Sequence, residues 1–436
     1  MHVRYQAALR PDGPNYTRAI DHFDTVPARS CDHFKQIDAL SQSRESAENT
    51  GLASSYQITS MPIKISHQFD GGAIEIVRAE QPQAIELNLR KDSHADFMQW
   101  FYFRLQGARG QACRITFLNA AQATYVDGWQ DYQAVASYDR IDWFRVPTSY
   151  DGKVLTISHT PEQDSVYYAY FEPYSWERHL DLLGCAARSP HVSVLDLGST
   201  LQGRDMNLVV VGDPSAAKKV WVIARQHPGE SMSEWFVEGM LEGLLDPANP
   251  FAVRLRENTV FYIVPNMNPD GACLGNLRTN SAGANLNREW MTPSMEHSPE
   301  VFMVKNKIHE IGCDLFLDVH GDEGLPYVFA AGNEMLENFN DAHAAEQAQF
   351  LENFKRASPD FQTEFGYPAG KYRKEVLKLA SKYIGHAFGC VALTLELPFK
   401  DNAALPDARV GWNGARSAAL GAAVLQPILN AVKAGA

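Results

Sequence analysis

Two imidazoles and two carboxylates sit where a chain that otherwise buries itself has no structural need for them. In "KKVWVIARQHPGESMSEWF" an apolar run leads into His227 and Glu230, three residues apart, before an amphipathic stretch begins. In "CDLFLDVHGDEG", Leu315, Leu317 and Val319 share one face of a strand; Phe316, Asp318 and His320 share the other. Imidazole nitrogen and carboxylate oxygen are zinc ligands, and a catalytic zinc keeps three protein ligands and one open position. His227, Glu230 and His320 can be those three if the two strand exits meet. Singly, a His-x-x-Glu turn or an Asp-x-His strand end is more often a satisfied turn or a capped helix. Their shared place beyond strand ends strengthens the metal reading without deciding it, since open α/β sheets bind ligands there.

The fourth group is Glu396 in "GCVALTLELPF". Val391, Leu393, Leu395 and Leu397 fall on one side, Ala392, Thr394 and Glu396 on the other. A carboxylate in such a strand is penalised by desolvation unless it is paired or faces a wet cleft. A buried ion pair and a general base both fit that pattern. Between these strands, "NPDGACLGNLRTNSAGANLNREW" opens on a turn signal and carries Arg278 and the pair Asn287-Arg288. A guanidinium fork matches a carboxylate, although a lone loop arginine is usually just solvated.

The elements that must hold these residues fall into two regimes. Over about 61–175, "AIEIVRA", "AIELNLRK", "WFYFRLQG", "ACRITFLN", "VLTISHT" and "VYYAYFEPY" repeat with period two between turn-rich breaks, which predicts an antiparallel sandwich. From about 190, "MNLVVVG", "KVWVIA", "TVFYIVP", "DLFLDVH" and "VALTLEL" alternate with helical stretches, which predicts an α/β sheet covered on both faces. One helix is expected in "HSPEVFMVKNKIHEIG", with Ser298 as N-cap, Pro299 at the first position and Gly312 after the end. A second amphipathic helix is expected over "YRKEVLKLASKYIGHAFG". Residues 1–60 are polar without a sustained period and read as a flexible extension; the expected domains are 61–178 and 179–436.

Bulk properties narrow the function classes. The 436 residues carry a formal charge of −13, which argues against nonspecific binding to nucleic acid or an anionic membrane. No apolar run approaches the ~18 residues that span a bilayer. The six cysteines are scattered without a CxxC pair, which suits reduced thiols and a cytoplasmic protein. Oligomeric state is not legible.

In order, the chain carries "HPGE", "NPDG", "NLR", "NLNR", "DVHG" and "TLELPF". This ordered set resembles the zinc carboxypeptidases of the carboxypeptidase A kind. The wording "HPGESMSEW", "PNMNPDG" and "ANLNREW" is similar to the cytosolic carboxypeptidase branch in its bacterial form. The resemblance implies a mixed-sheet α/β catalytic domain behind a β-sandwich domain, covering roughly Met61 to the C-terminus. It implies one zinc held by His227, Glu230 and His320, with Glu396 as general base and acid toward a metal-activated water. Arg278 would hold the oxyanion, and Asn287 and Arg288 would bind the terminal carboxylate of a peptide or protein tail. Where secreted relatives place an aspartate behind a zinc histidine, this chain has Asn285, an amide oxygen that still accepts the imidazole proton. A substrate-site tyrosine is expected among Tyr327, Tyr367, Tyr372 and Tyr383. Many members of the branch are deglutamylases, which extends the expectation to acidic tails, with Arg373, Lys374, Lys400 or Arg409 as the matching cation. Two alternatives stand beside this reading. One is a zinc amidohydrolase of the aspartoacylase type acting on N-acyl amino acids, which "NLNR" and the β-domain disfavour. The other is an inactive module that binds peptide tails.

Overall fold

Among the described residues ten short strands precede the first α-helix; the six period-two segments form six of them, and the other four are three-residue strands without a sequence signal of their own. The ten are β1 (Lys64–Ser66), β2 (Glu75–Arg78), β3 (Ile85–Asn88), β4 (Tyr102–Gln106), β5 (Cys113–Phe117), β6 (Val135–Ser137), β7 (Trp143–Arg145), β8 (Thr148–Tyr150), β9 (Leu155–His159) and β10 (Ser165–Ala169). The computed structural model describes residues 62–368 and 373–434, so the extension expected over 1–60 lies outside the described residues. The strands form two five-stranded sheets, ordered β1-β4-β10-β6-β7 and β2-β3-β5-β9-β8. Pairing is antiparallel as expected except between β3 and β5, which run parallel. The chain leaves for the other sheet through β4 and re-enters in the same direction, the crossover that a parallel pair requires. Alternating burial follows the pleat: in β5, Cys113, Ile115 and Phe117 are buried while Arg114 is exposed.

The second region begins with α1 (Trp176–Ala186), whose N-cap Ser175 accepts from the Arg178 N–H. The boundary expected at 178/179 falls inside this helix. Seven strands follow: β11 (Val192–Ser199), β12 (Asp205–Val211), β13 (Lys218–Ala224), β14 (Thr259–Val264), β15 (Leu315–Asp322), β16 (Phe329–Ala331) and β17 (Val391–Pro398). Their order is β11-β12-β14-β13-β15-β17-β16. The central four are parallel, and β11, β12 and β16 join antiparallel, making a mixed sheet. Helices α2 (Met232–Leu245), α3 (Pro250–Arg256), α4 (Pro269–Leu274), α5 (Pro299–Ile311), α6 (Asp341–Ala357), α7 (Ala380–Phe388), α8 (Gly414–Ala423) and α9 (Leu425–Ala434) complete it.

The parallel strands are buried on both faces because both are covered, and the polar residues of β15 and β17 gather toward their carboxyl ends. Val220 and Val222 of β13, Leu315, Leu317 and Val319 of β15, and Leu393, Leu395 and Leu397 of β17 join a core with α2, α8 and α9. The same core continues into both N-terminal sheets through Phe101, Phe103, Phe117 and Tyr170. On the opposite face Trp221, Phe316 and Ala392 pack against Val301, Val304 and Ile308 of α5 and Ile384 of α7. Each Val, Leu, Ile or Phe side chain among these contributes roughly 1.5–3 kcal/mol when fully buried.

Two local expectations change. "NPDG" is not a turn: Asn268 caps α4 by accepting from the Gly271 N–H at 3.1 Å, with Pro269 at the first helical position. The helix expected over "YRKEVLKLASKYIGHAFG" is split. A 3₁₀ segment covers Arg373–Lys378, Leu379 is extended, and α7 starts at Ala380. The break has a partner, since the Ala380 N–H donates to Asn287 Oδ1 at 2.9 Å. α5 begins and ends as expected, at Ser298 and Gly312.

Candidate active site

Register explains how two distant residues come together. β15 and β17 pair in parallel with His320 opposite Glu396 and Asp318 opposite Thr394. Paired residues of neighbouring strands point to the same face about 4.8 Å apart. The pleat therefore places all four on one face, beyond the Phe316 and Ala392 layer. His227 and Glu230 arrive from the exit of β13, the strand on the other side of β15.

That exit is held open by a residue in a costly conformation. Arg225 has φ +58°, the left-handed region that disfavours a β-carbon. Its buried guanidinium compensates, donating to Pro228 O at 3.0 Å, Tyr174 O at 2.8 Å and Glu234 Oε2 at 2.7 Å. Gly229 then runs against the next loop, its N–H donating to Leu277 O at 2.9 Å; a β-carbon there would lie 3.0 Å from that oxygen.

The result is a compact donor set. His227 Nδ1 lies 2.7 Å from Glu230 Oε1, His320 Nδ1 lies 2.8 Å from Glu230 Oε2, and the two Nδ1 atoms are 3.1 Å apart. Among the described residues this is the one group of three or more such side chains placed to hold a metal ion. A tetrahedral zinc with bonds of about 2.0–2.2 Å separates its ligand atoms by roughly 3.3 Å, close to these spacings. The far nitrogens are also engaged: His227 Nε2 is 3.1 Å from Asn285 Oδ1, and His320 Nε2 is 3.0 Å from Asp318 Oδ2. An imidazole whose far N–H is donated outward presents its other lone pair inward, as a ligand must. The residues present thus fit a zinc ion.

Burial pushes the His227 imidazole down to about 3, with the Arg278 charge adding to it, so it stays neutral. Burial works against the Glu230 carboxylate, but the two imidazoles outweigh it and hold its pKa well below the usual range. Burial also opposes charge on His320, yet Asp318 and Glu230 raise its pKa well above the ordinary value. Glu396 is pushed up to about 8, chiefly by burial, with Glu230 and Asp322 adding repulsion. Its Oε1 lies 2.8 Å from the Tyr367 hydroxyl, which is also 2.8 Å from Asp322 Oδ2. Among the described residues its buried Oε2 has no hydrogen-bond partner.

A cleft of about 850 Å³ opens over these groups, and Arg278, Asn287, Arg288 and Tyr367 also line it. Arg278 Nη1 is 3.9 Å from Glu230 Oε1. Asn287 is buried, with Nδ2 at 3.2 Å from His320 Nε2, and Arg288 is half-buried. All seven residues singled out in the sequence thus share one cleft.

Other expectations were less complete. Tyr367 reaches the cleft; Tyr327 instead stacks on Phe365, Tyr383 packs by His309 and Trp290, and Tyr372 lies outside the described residues. Arg409 is exposed. Lys400 spends its ammonium on Asp127 O and Gly324 O, both at 3.2 Å. The side chains of Arg373 and Lys374 are not described. Sequence reasoning missed Lys382, which reads as an ordinary polar position of α7. It is buried, lines the cleft and donates to Ala331 O at 3.1 Å and to Gly332 O. Burial lowers its pKa to about 8. Also missed was the wall formed by residues 124–128 of the N-terminal region, for which no local signal exists.

Comparison with known proteins agrees with this geometry. Residues 65–171 match the cytosolic carboxypeptidase N-terminal domain, and residues 181–410 match the zinc carboxypeptidase model. The chain belongs to the zinc carboxypeptidase family. A Zymomonas mobilis protein is 43% identical over 361 residues, covering 83% of this chain and 94% of that one. Mouse cytosolic carboxypeptidase 2 is 31% identical over 311 residues, covering 63% of this chain but 36% of its own length, so the chain spans about a third of that relative. A metallo-carboxypeptidase from Burkholderia cenocepacia has a TM-score of 0.84 at 60% identity, covering 86% of this chain and 100% of its own. A Pseudomonas aeruginosa metallo-carboxypeptidase, solved with (2-guanidinoethylmercapto)succinic acid, has a TM-score of 0.83 at 44% identity, covering 85% and 99%. The chain is accordingly a peptide hydrolase of a family that acts on peptide C-termini with one catalytic zinc ion. No helix of the described residues is long and apolar enough to cross a membrane. Among the described residues, Cys113, Cys273, Cys313 and Cys390 are free thiols.

Proposed function

We propose that this carboxypeptidase removes the last residue of peptide or protein tails and prefers an acidic one. In this reading His227, Glu230 and His320 hold the zinc, which when bound supplies a Lewis acid and an acidified water. Glu396 accepts a proton at its open Oε2 and returns it to the leaving amine. Tyr367 occupies Oε1 and so leaves that second oxygen as the working one. Arg278 stabilises negative charge developing on the scissile carbonyl, where a preformed cation is worth most. Asn287 and Arg288 bind the terminal carboxylate, a contact available only at a chain end, which restricts the enzyme to exopeptidase action.

The acidic preference rests on one observation: a buried ammonium, Lys382, lines the cleft that also holds Arg288. A terminal Glu or Asp brings two carboxylates, one for each cation. Lys382 gives two of its three protons to carbonyl oxygens and keeps one for a side chain. Peptides identical except for a final Glu, Gln, Lys or Phe test this. The reading expects Glu to lead in kcat/KM; a clear preference for Lys or Phe ends it.

A further inference from the structure

Arg278 sits between α4 and the short 3₁₀ turn Leu286–Arg288, in a stretch with little regular structure. A buried carboxylate from the N-terminal region stabilises it there. Asp92, in the connection between β3 and β4, accepts from three successive backbone N–H groups: Leu277 at 2.5 Å, Arg278 at 2.7 Å and Thr279 at 2.9 Å. The Thr279 hydroxyl adds a fourth bond at 3.1 Å. Consecutive N–H groups converging on one anion form a nest, and a charged acceptor makes each bond stronger than a neutral one. The flanking residues extend the grip. Arg90 donates to Leu274 O and, at 3.2 Å, to Gly275 O; Ser93 donates from N–H and hydroxyl to Asn276 Oδ1 at 3.1 and 3.2 Å. The Arg278 guanidinium lies 5.9 Å from the ring of Phe97 and 5.4 Å from that of Tyr125, both from the same N-terminal region.

We propose that Asp92 is a positioning residue for Arg278, and that the N-terminal sheets are thereby a working part of the active site. This rests on the role proposed above for Arg278. The carboxylate fixes the main chain on both sides of Arg278, and the two rings fix its head. An arginine that meets charge only as that charge develops must be in place beforehand. Loosening its backbone therefore lowers kcat and leaves substrate binding through Arg288 nearly intact.

A double-mutant cycle of Asp92→Asn and Arg278→Ala tests this, reading kcat, KM, zinc content and melting temperature. Asp92→Asn keeps shape and volume and removes the charge; Asp92→Ala is the harsher companion. The expected result is a kcat about tenfold lower for Asp92→Asn, short of the ~100-fold or more for outright loss of one preformed donor because the guanidinium is loosened and not removed. KM should change little and zinc should be retained. In the Arg278→Ala background the same change should lower kcat less than about twofold, because coupled residues do not act independently. Equal losses in both backgrounds, or an unchanged kcat in the single variant, would overturn the proposal. Arg278→Ala with wild-type kcat would remove the role of Arg278 itself, a distinct failure visible in the same cycle.

Discussion

The cleft has two halves built in different ways. His320 and Glu396 hang on adjacent parallel strands, and His227 and Glu230 follow directly from a third. Arg278, Asn287 and Arg288 hang on a loop whose shape comes from capping bonds: Asn268 at α4, Asp92 from the N-terminal region and Asn287 at the start of α7. The strand-borne half needs only sheet register to be correct. The loop-borne half needs many separate polar contacts. A metal centre with bonds near 2 Å tolerates little displacement and suits the rigid half. In the proposed reading, groups that must admit and release a peptide tail suit the other.

Substitutions should separate the halves, and the largest effect belongs to the strand side. His320→Ala should abolish both bound zinc and hydrolysis; metal analysis beside an activity assay checks this. Arg278→Ala should retain zinc and lower kcat by ~100-fold or more. Lys382→Met should erase the advantage of Glu over Gln at the substrate terminus. A hydrogen bond to a charged group contributes about 1.5–3 kcal/mol, so the kcat/KM ratio should fall ~10- to 100-fold. Asn285→Asp should tighten zinc binding ~10-fold, since a carboxylate raises the basicity of the His227 imidazole more than an amide does.

The smallest effect is one of stability. Burial pushes Glu300, at the start of α5, up to about 7, although Asn280 of the Arg278 loop donates to it at 3.2 Å. Between about 4.5, its ordinary value, and 7 the folded chain holds a proton that the unfolded chain has released. Stability therefore falls as pH rises through that window. Glu300→Gln should keep the amide contact and narrow the difference in melting temperature between pH 5 and pH 8.

The same division governs what could be read from sequence. The longer strands, their apolar faces and the exit of β13 follow from period and composition, so His227, Glu230, His320 and Glu396 stood out as candidates before any coordinates, but the ordered motifs were needed to assign them. Their convergence required register, and the parallel pairing of His320 with Glu396 has no local sequence signal. Arg278, Asn287 and Arg288 were found through ordered motifs, since a loop arginine alone carries no weight. Asp92 and Lys382 were invisible for a common reason. Each is an unremarkable polar residue in its own segment and gains meaning only from a distant one, the Leu277–Thr279 backbone for the first and the cleft beyond β16 for the second.

The central claim is that three side chains hold zinc while Glu396 moves the proton. Glu396→Gln, assayed for zinc content and hydrolysis of a C-terminal glutamyl peptide on the same preparation, addresses it most directly. The account predicts one zinc per chain, as in the wild type, with turnover reduced ~10²- to 10⁴-fold. Wild-type turnover in this variant would contradict it, and so would loss of the metal together with activity.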